Sequence, residues 1–343
     1  MATPERSVLH VLPHPGGGGE TYVDLLDAMP GYRFSRVYLA PTPKPSPAEL
    51  ARGLVGAFKR ARGHDLVHVH GDAAAGLSLP LLAARPSVAT LHGLNLARRS
   101  SGARRRAAVA NLHAVLRAVD RTICVCHAER MYLTSVVGSA LADEALVVRN
   151  GVRVSPRTSR EERAEARKEL GISPAELVTI WVGALDIPKD PLAAVRAARQ
   201  ASVTLVMVGD GSLRSQVERA ASRSTHVLGH RPDVARLLAA ADVFLSVTER
   251  EGLAFTLLEA MAHGLPSVVT ALPENLEAIG DAGLSVPFGD DAALAAAIGR
   301  LARDAGERES LGRRARDRVA ALFDADAMTS RTRVVYDDVL ARR

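Results

Sequence analysis

Two carboxylates, Glu251 and Glu259, stand eight positions apart in the stretch Thr248 to Thr270, TEREGLAFTLLEAMAHGLPSVVT. Upstream, Asp242-Val-Phe-Leu-Ser-Val-Thr248 is an apolar run of the length of a buried parallel strand. Gly252 opens a helix that Gly264-Leu265-Pro266 closes, and a further strand begins at Ser267. A strand, a Gly-containing turn and a helix start make a corner suited to anions, because the first helical N–H groups lack partners and carry partial positive charge. Acids at such a corner must serve something else. Sugar and ribose hydroxyls fit, since an ionised carboxylate accepts strong hydrogen bonds from them.

Other residues carry chemistry of their own. Pro13-His14-Pro15 leads into Gly16-Gly17-Gly18-Gly19-Glu20, where glycines permit close backbone approach to a ligand just before a helix. The run is not the G-x-G-x-x-G dinucleotide fingerprint. His92-Gly93 ends the run VATLHG, and a histidine at the carboxyl end of a parallel strand faces the crevice where α/β sheets bind ligands. His68 and His70 in DLVHVHG share a face, yet no third metal ligand is visible, so they read as strand-end histidines. Asp324-Ala-Asp326 is formally D-x-D. It stands before a terminal helix, far from any Gly-rich strand end, and reads as a helix cap with no metal role.

The elements that must position these residues alternate along the chain. Strands are expected at 7–13, 34–40, 65–71, 87–93, 121–127 and 145–150, with helices at 21–29, 47–63, 104–119 and 128–137 between them. The second half repeats the plan with strands at 178–184, 203–210, 226–230, 242–248, 266–271 and 284–288. Such alternation demands parallel sheets covered on both faces, so the fold class is α/β. A chain of 343 residues exceeds the size at which one core keeps growing. The boundary falls within Asn150–Arg160, where Asn-Gly and Ser155-Pro156 supply turn chemistry before a charged helix at 160–170.

The net charge is +6, concentrated in Arg98, Arg99, Arg104, Arg105 and Arg106, with Lys59, Arg60 and Arg62 forming a second cluster. The first cluster would attract anionic headgroups or an anionic acceptor, or simply form a solvated face. No aromatic residues are interleaved to stack on bases, which argues against nucleic acid. No apolar run approaches the roughly 18 to 20 residues of a membrane span. The start lacks a signal-peptide pattern, and Cys124 and Cys126 sit too close along one strand to bridge, so a reducing, cytoplasmic setting is expected.

The EGLAFTLLE segment in its strand–turn–helix setting resembles the Glu-x7-Glu motif of retaining GT-B glycosyltransferases of family 4. That resemblance implies two Rossmann-like domains: an acceptor-side domain over 1–152, a nucleotide-sugar domain over 153–323, and a final helix, 324–343, crossing back to the first. It implies that Glu251 binds sugar hydroxyls and Glu259 the ribose, and that Gly252, Leu253, Ala254, Phe255 and Leu258 lie on the donor side. WVGALDIPK, residues 181–189, resembles the family's G-R-L-x-x-x-K clamp. Lys189 would then meet the donor diphosphate, while Ala184 replaces the usual Arg. Gly17 and Gly18 would approach the diphosphate and acceptor, and His92 would lie beside the transferred sugar. Gly209 would pack near the donor and Arg231 near the nucleobase. The implied activity is hexosyl transfer with retention from a nucleotide-diphosphate sugar, without metal or other cofactor, in glycolipid, surface-polysaccharide or natural-product synthesis. An epimerase or a catalytically weak nucleotide-sugar-binding protein of the same fold is the alternative, the latter prompted by Ala184.

Overall fold

The computed structural model describes residues 5–154 and 158–342; the Ser155-Pro156 turn of the expected boundary lies outside the described residues. The chain divides into two compact units. One runs to Asn150 and resumes at Ala325; the other is Gly151–Asp324.

The first unit contains strands β1 (Arg6–Leu12), β2 (Tyr32–Tyr38), β3 (Leu66–His70), β4 (Ser87–Thr90), β5 (Arg121–Cys124) and β6 (Leu146–Val147), in the order β2-β1-β3-β4-β5-β6. The second contains β7 (Val178–Val182), β8 (Thr204–Val208), β9 (Thr225–Val227), β10 (Val243–Ser246), β11 (Ser267–Thr270) and β12 (Gly283–Val286), in the order β12-β11-β10-β7-β8-β9. The recorded pairings in both sheets are parallel. The second order is that of a dinucleotide-binding Rossmann sheet, and the first five strands of the first sheet follow the flavodoxin-like order. In each, winding reverses beside the first strand, opening a crevice at the strand carboxyl ends between β1 and β3 and between β7 and β10.

The strands are shorter than the apolar runs that encode them. β4 stops at Thr90 and β10 at Ser246, so His92 and Thr248 lie past the last ladder pair, in the turns that face the ligand end. The Gly-rich helix begins three residues earlier than the apolar pattern suggests, at Gly18, because Gly17 takes the N-cap position at φ 82°. Helices Asp72–Leu77, Leu79–Ala84 and Asn95–Arg99 fill segments whose apolar spacing gave no sign of them.

Side chains alternate across each sheet face. In the first unit Leu9, Val11, Val67 and Val69 join one hydrophobic cluster. His10, His68 and His70 occupy the alternate positions of the same two strands, all fully buried. Helix Ala325–Ala341 supplies a partner for that polar face. Tyr336 Oη lies 2.6 Å from His68 Nδ1, and Thr332 Oγ1 2.8 Å from the Tyr22 hydroxyl. Arg6 donates to Asp337 at 2.9 Å, Tyr32 Oη donates to Asp337 at 2.6 Å, and Arg121 pairs with Asp338 at 2.8 Å. In the second unit Trp181, Leu205, Leu245, Val268 and Ile298 form the core between sheet and helices.

Removing the Tyr336 hydroxyl orphans a buried imidazole nitrogen. Tyr336→Phe is therefore expected to cost about 1–3 kcal/mol. A urea midpoint equal to that of the wild type would rule out this account of how the terminal helix is held.

Candidate functional site

In the second unit, two turns leave the carboxyl ends of β7 and β10 at the point where winding reverses. The first contains the short 3-10 turn Ile187–Lys189, followed by Asp190, whose side chain caps helix Pro191–Gln200 by accepting from Ala193 N at 3.1 Å. The second runs through Thr248 to the start of helix Phe255–Ala262. They are tied together: Glu249 N and Thr248 Oγ1 both donate to Pro188 O, each at 2.8 Å. Thr270 Oγ1 braces the second turn, donating to Thr248 O at 2.7 Å and accepting from Thr248 N at 3.1 Å. As a result Lys189 Nζ forms an ion pair with Glu251 Oε2, the two side chains remaining 26% and 21% exposed. The cation and the acid that the sequence assigns to different parts of a donor are brought together here.

Helix Phe255–Ala262 starts from Ala254, which offers no side-chain acceptor to its first amides. Gly252 is buried, and the side chains of Leu253, Phe255 and Leu258 belong to the core, so this segment can meet a ligand mainly through its backbone. Glu259, on the same helix, is half-buried, and burial pushes its carboxyl up to about 7.

The remaining positions of this unit have local duties. Gly209, at φ 133°, lies so close to the β7 turn that a Cβ would stand 1.8 Å from Gly183 O, and its N–H donates to Gly229 O at 2.8 Å. Close packing of two strand ends accounts for this glycine by itself. Arg231 makes a two-pronged contact with Asp233, at 2.7 and 2.5 Å. Arg214, the first residue of helix Arg214–Ala220, is held by Asp210 and Glu218, at 2.6 and 2.9 Å.

In the first unit the Gly-rich turn and His92 meet beside β3. Gly17 caps helix Gly18–Leu26, and Tyr22 on that helix packs edge-on against the His92 ring, centroids 5.4 Å apart. His92 adopts φ 54°, followed by Gly93 at 101° and Leu94 at 51°. A left-handed backbone at a non-glycine residue is characteristic of functional turns. Glu129 holds this one: its fully buried carboxylate accepts from Gly93 N through Oε1 and from Val125 N through Oε2, the latter at 2.6 Å. Asn95 Nδ2 donates to His92 O at 3.0 Å. Neither Glu129 nor Asn95 carries a sequence signal beyond being polar: the Glu129 contact with Gly93 spans 36 positions, and the Asn95 contact with His92 O depends on the left-handed turn between them.

His92 Nε2 lies 3.0 Å from His70 Nδ1, and His70 Nε2 lies 2.8 Å from His10 Nδ1. His68 uses both nitrogens, on Tyr336 Oη and, at 2.7 Å, on Thr90 Oγ1. His10, His68 and His70 are also the one group among the described residues whose ligand atoms converge as for a metal. His10 was invisible as a member because it joins His68 only through the β1–β3 register. Burial lowers the proton affinity of all four rings: His10 falls to about 3 and His92 to about 4, with Arg36 adding to the effect on His10, and His68 and His70 lie well below 6.5.

In the basic segment, Arg99, Arg104, Arg105 and Arg106 are exposed on two short-spaced helices, whereas Arg98 is half-buried with its guanidinium 4.3 Å from the Tyr132 ring centre. Arg98 thus belongs to the packing of the unit. Cys124 and Cys126 are free and buried, and Cys126 Sγ accepts from Glu129 N. Among the described residues no helix is long and apolar enough to cross a membrane.

The four neutral imidazoles make the fold acid-sensitive, and the sign follows from linkage. Their folded affinities lie below 6.5, so the unfolded chain binds protons first as pH falls. Stability is full above 6.5 and is lost as pH drops through 6.5 toward 4, by about 1.4 kcal/mol per pH unit for each ring. Urea denaturation at pH 7.5 and 5.5 measures this; a His10→Phe variant should show a shallower loss, and equal stability at both values in the wild type would overturn it.

Comparison with known proteins bears on the family and the fold. The family description "Glycosyltransferase Family 4" matches residues 9–155 and "Glycosyl transferases group 1" matches residues 177–304. The chain is 30% identical over 291 residues to the glycogen synthase of Mycobacterium tuberculosis, spanning 79% of this chain and 68% of that protein. It is 29% identical over 194 residues to the N-acetyl-alpha-D-glucosaminyl L-malate synthase of Bacillus anthracis, spanning 53% of this chain and half of that relative. Among solved structures, a sucrose-phosphate synthase from Thermosynechococcus elongatus superposes with a TM-score of 0.83 at 20% identity, over 98% of this chain and 100% of that one. Anabaena HepE in complex with UDP-glucose gives 0.82 at 19% identity, over 98% and 100%. The chain has the GT-B fold and belongs to the group 1, family 4 glycosyltransferases.

Proposed function

We propose that this glycosyltransferase moves a hexose-type sugar, with retention, from a nucleotide-diphosphate donor to an acceptor hydroxyl. The observation that carries the reading is the Lys189–Glu251 ion pair, set where winding reverses and beside the start of helix Phe255–Ala262. An incoming diphosphate competes for Lys189 and for the first helical amides, which stabilise the leaving group. Its arrival releases Glu251 to accept hydrogen bonds from the sugar hydroxyls, and Glu259 accepts those of the ribose. The leaving phosphate stays on the face from which the acceptor attacks and takes its proton, so the anomeric configuration is kept. Positive charge is supplied by Lys189 and the helix start, and the proposed transfer needs no metal.

His92 is assigned to the transferred sugar, and Gly17 and Gly18 to the donor diphosphate and the acceptor. The nucleotide sugars named for relatives and fold neighbours, UDP-Gal and UDP-glucose among them, support starting from uridine donors. A panel of UDP- and GDP-sugars, followed for sugar release and for the anomer formed, tests the reading. Lys189→Ala and Glu251→Ala should each lower kcat by about 10²–10³-fold. Donor binding with no turnover by the wild type would leave a binding protein, and an inverted product would sink retention.

We further assign the exposed Arg99, Arg104, Arg105 and Arg106 to an anionic membrane surface that presents the acceptor. Exposure on two neighbouring helices and the local excess of positive charge support this. Sedimentation with phosphatidylglycerol-containing vesicles should exceed that with neutral phosphatidylcholine, and replacing the four arginines by Gln should abolish the difference. Equal sedimentation with both vesicles, or none, would remove the assignment.

A further inference from the structure

The chain of imidazoles behind His92 ends in a buried polar atom that nothing satisfies. His10 Nε2 is fully enclosed and has no hydrogen-bond partner among the described residues. From there the contacts run His10 Nδ1 to His70 Nε2 at 2.8 Å, then His70 Nδ1 to His92 Nε2 at 3.0 Å. A neutral imidazole carries one N–H, so each contact needs a donor on one side and a lone pair on the other. Only two settings satisfy both contacts. In one, all three protons sit on Nε2, and the last is a buried His10 N–H with no acceptor. In the other, all three sit on Nδ1, and His10 Nε2 is left as a lone pair.

The second setting is favoured. A buried N–H without an acceptor is the rarer defect in folded proteins, and an unpaired acceptor is better tolerated. Arg36, in register with His10 on β2, adds positive charge that keeps His10 neutral in either setting. His68 cannot rescue the chain, since both of its nitrogens are occupied by Tyr336 and Thr90. A resident metal fits poorly for the same reason. Among the described residues the converging group consists of these three histidines alone, with no carboxylate in it to offset a cation.

We propose that His70 and His10 are positioning residues of the transfer site: their hydrogen-bond chain fixes the tautomer of His92, keeping its proton on Nδ1, where it meets a sugar or phosphate oxygen as a donor. The proposal rests on the placement of His92 at the transferred sugar. Through His70 the ring is pinned at Nε2, while the left-handed turn at His92–Leu94 and Asn95 fix its backbone. Tautomer choice by a buried neighbour is how a histidine is committed to one role before substrate arrives.

The test reads the tautomer directly in the ligand-free full chain. With 15N-labelled histidine, long-range proton–nitrogen correlation, with His92 assigned through loss of its signals in His92→Gln, should place the His92 proton on Nδ1. His70→Phe removes the donor to Nε2 and should move the proton toward Nε2, the site that a free neutral imidazole prefers. His70→Asn, whose side-chain amide keeps a donor near the former Nδ1, should retain the wild-type state. With UDP-glucose as probe, His70→Phe should lower kcat on the order of 10²-fold with KM little changed, and His70→Asn should recover most of it. A wild-type His92 protonated on Nε2, an unchanged tautomer in His70→Phe, or one bound metal per chain by elemental analysis would each overturn the proposal. Full activity in His92→Gln with the tautomer result intact would instead remove His92 from the transfer site.

Discussion

A parallel sheet covered on both faces has no wet side, so any polar side chain on it must find its partner inside the protein. That constraint organises the first unit. Strands β1 and β3 alternate aliphatic and imidazole side chains, and the imidazoles cannot reach solvent. They bond to one another, to Thr90 and to Tyr336 of the terminal helix. The terminal helix thereby becomes part of the first unit's core although it follows the whole second unit in sequence. Desolvation also strips these rings of charge, and neutral rings with two distinct nitrogens can be arranged in a directed chain.

The same constraint acts differently in the second unit. Its sheet is lined by Trp181, Leu205, Leu245 and Val268, with polarity deferred to the strand ends. There the Thr270 hydroxyl satisfies both backbone groups of Thr248, and the turns carrying Lys189 and Glu251 are tied through Pro188. Charge is kept where a ligand can exchange with it, at a partly exposed ion pair. An ion pair in that position is of modest energetic value to folding. In the proposed transfer it holds a cation and an acid ready, each neutralising the other until a diphosphate and a sugar separate them.

These arrangements place two kinds of pre-organisation on one chain. Lys189 and Glu251 are set by turns whose geometry is enforced by close backbone packing, including the contact of Gly209 with Gly183 that no side chain could enter. His92 is set by a left-handed turn held by the Glu129 carboxylate and by a ring contact from behind. In both cases the groups proposed to meet the ligand are positioned by residues that do not.

Much of this was legible in the residues alone. Short continuous apolar runs separated by helical patterns specify parallel α/β units, because strands covered on both faces are apolar on both sides. The Glu251–Glu259 spacing across a strand–turn–helix junction, with Lys189 upstream, pointed to the family, since local chemistry and local structure are encoded together there. The sequence could not show that Lys189 and Glu251 bond to each other, that Leu253, Phe255 and Leu258 turn their side chains into the core, or that Arg98 is packed on Tyr132. Nor could it show that His10 joins His68, His70 and His92, or that Glu129 holds the His92 turn. Each of these depends on strand order and register, which bring together residues tens to hundreds of positions apart. Local periodicity determines which face of a strand is buried; only the assembled sheet decides which buried groups meet.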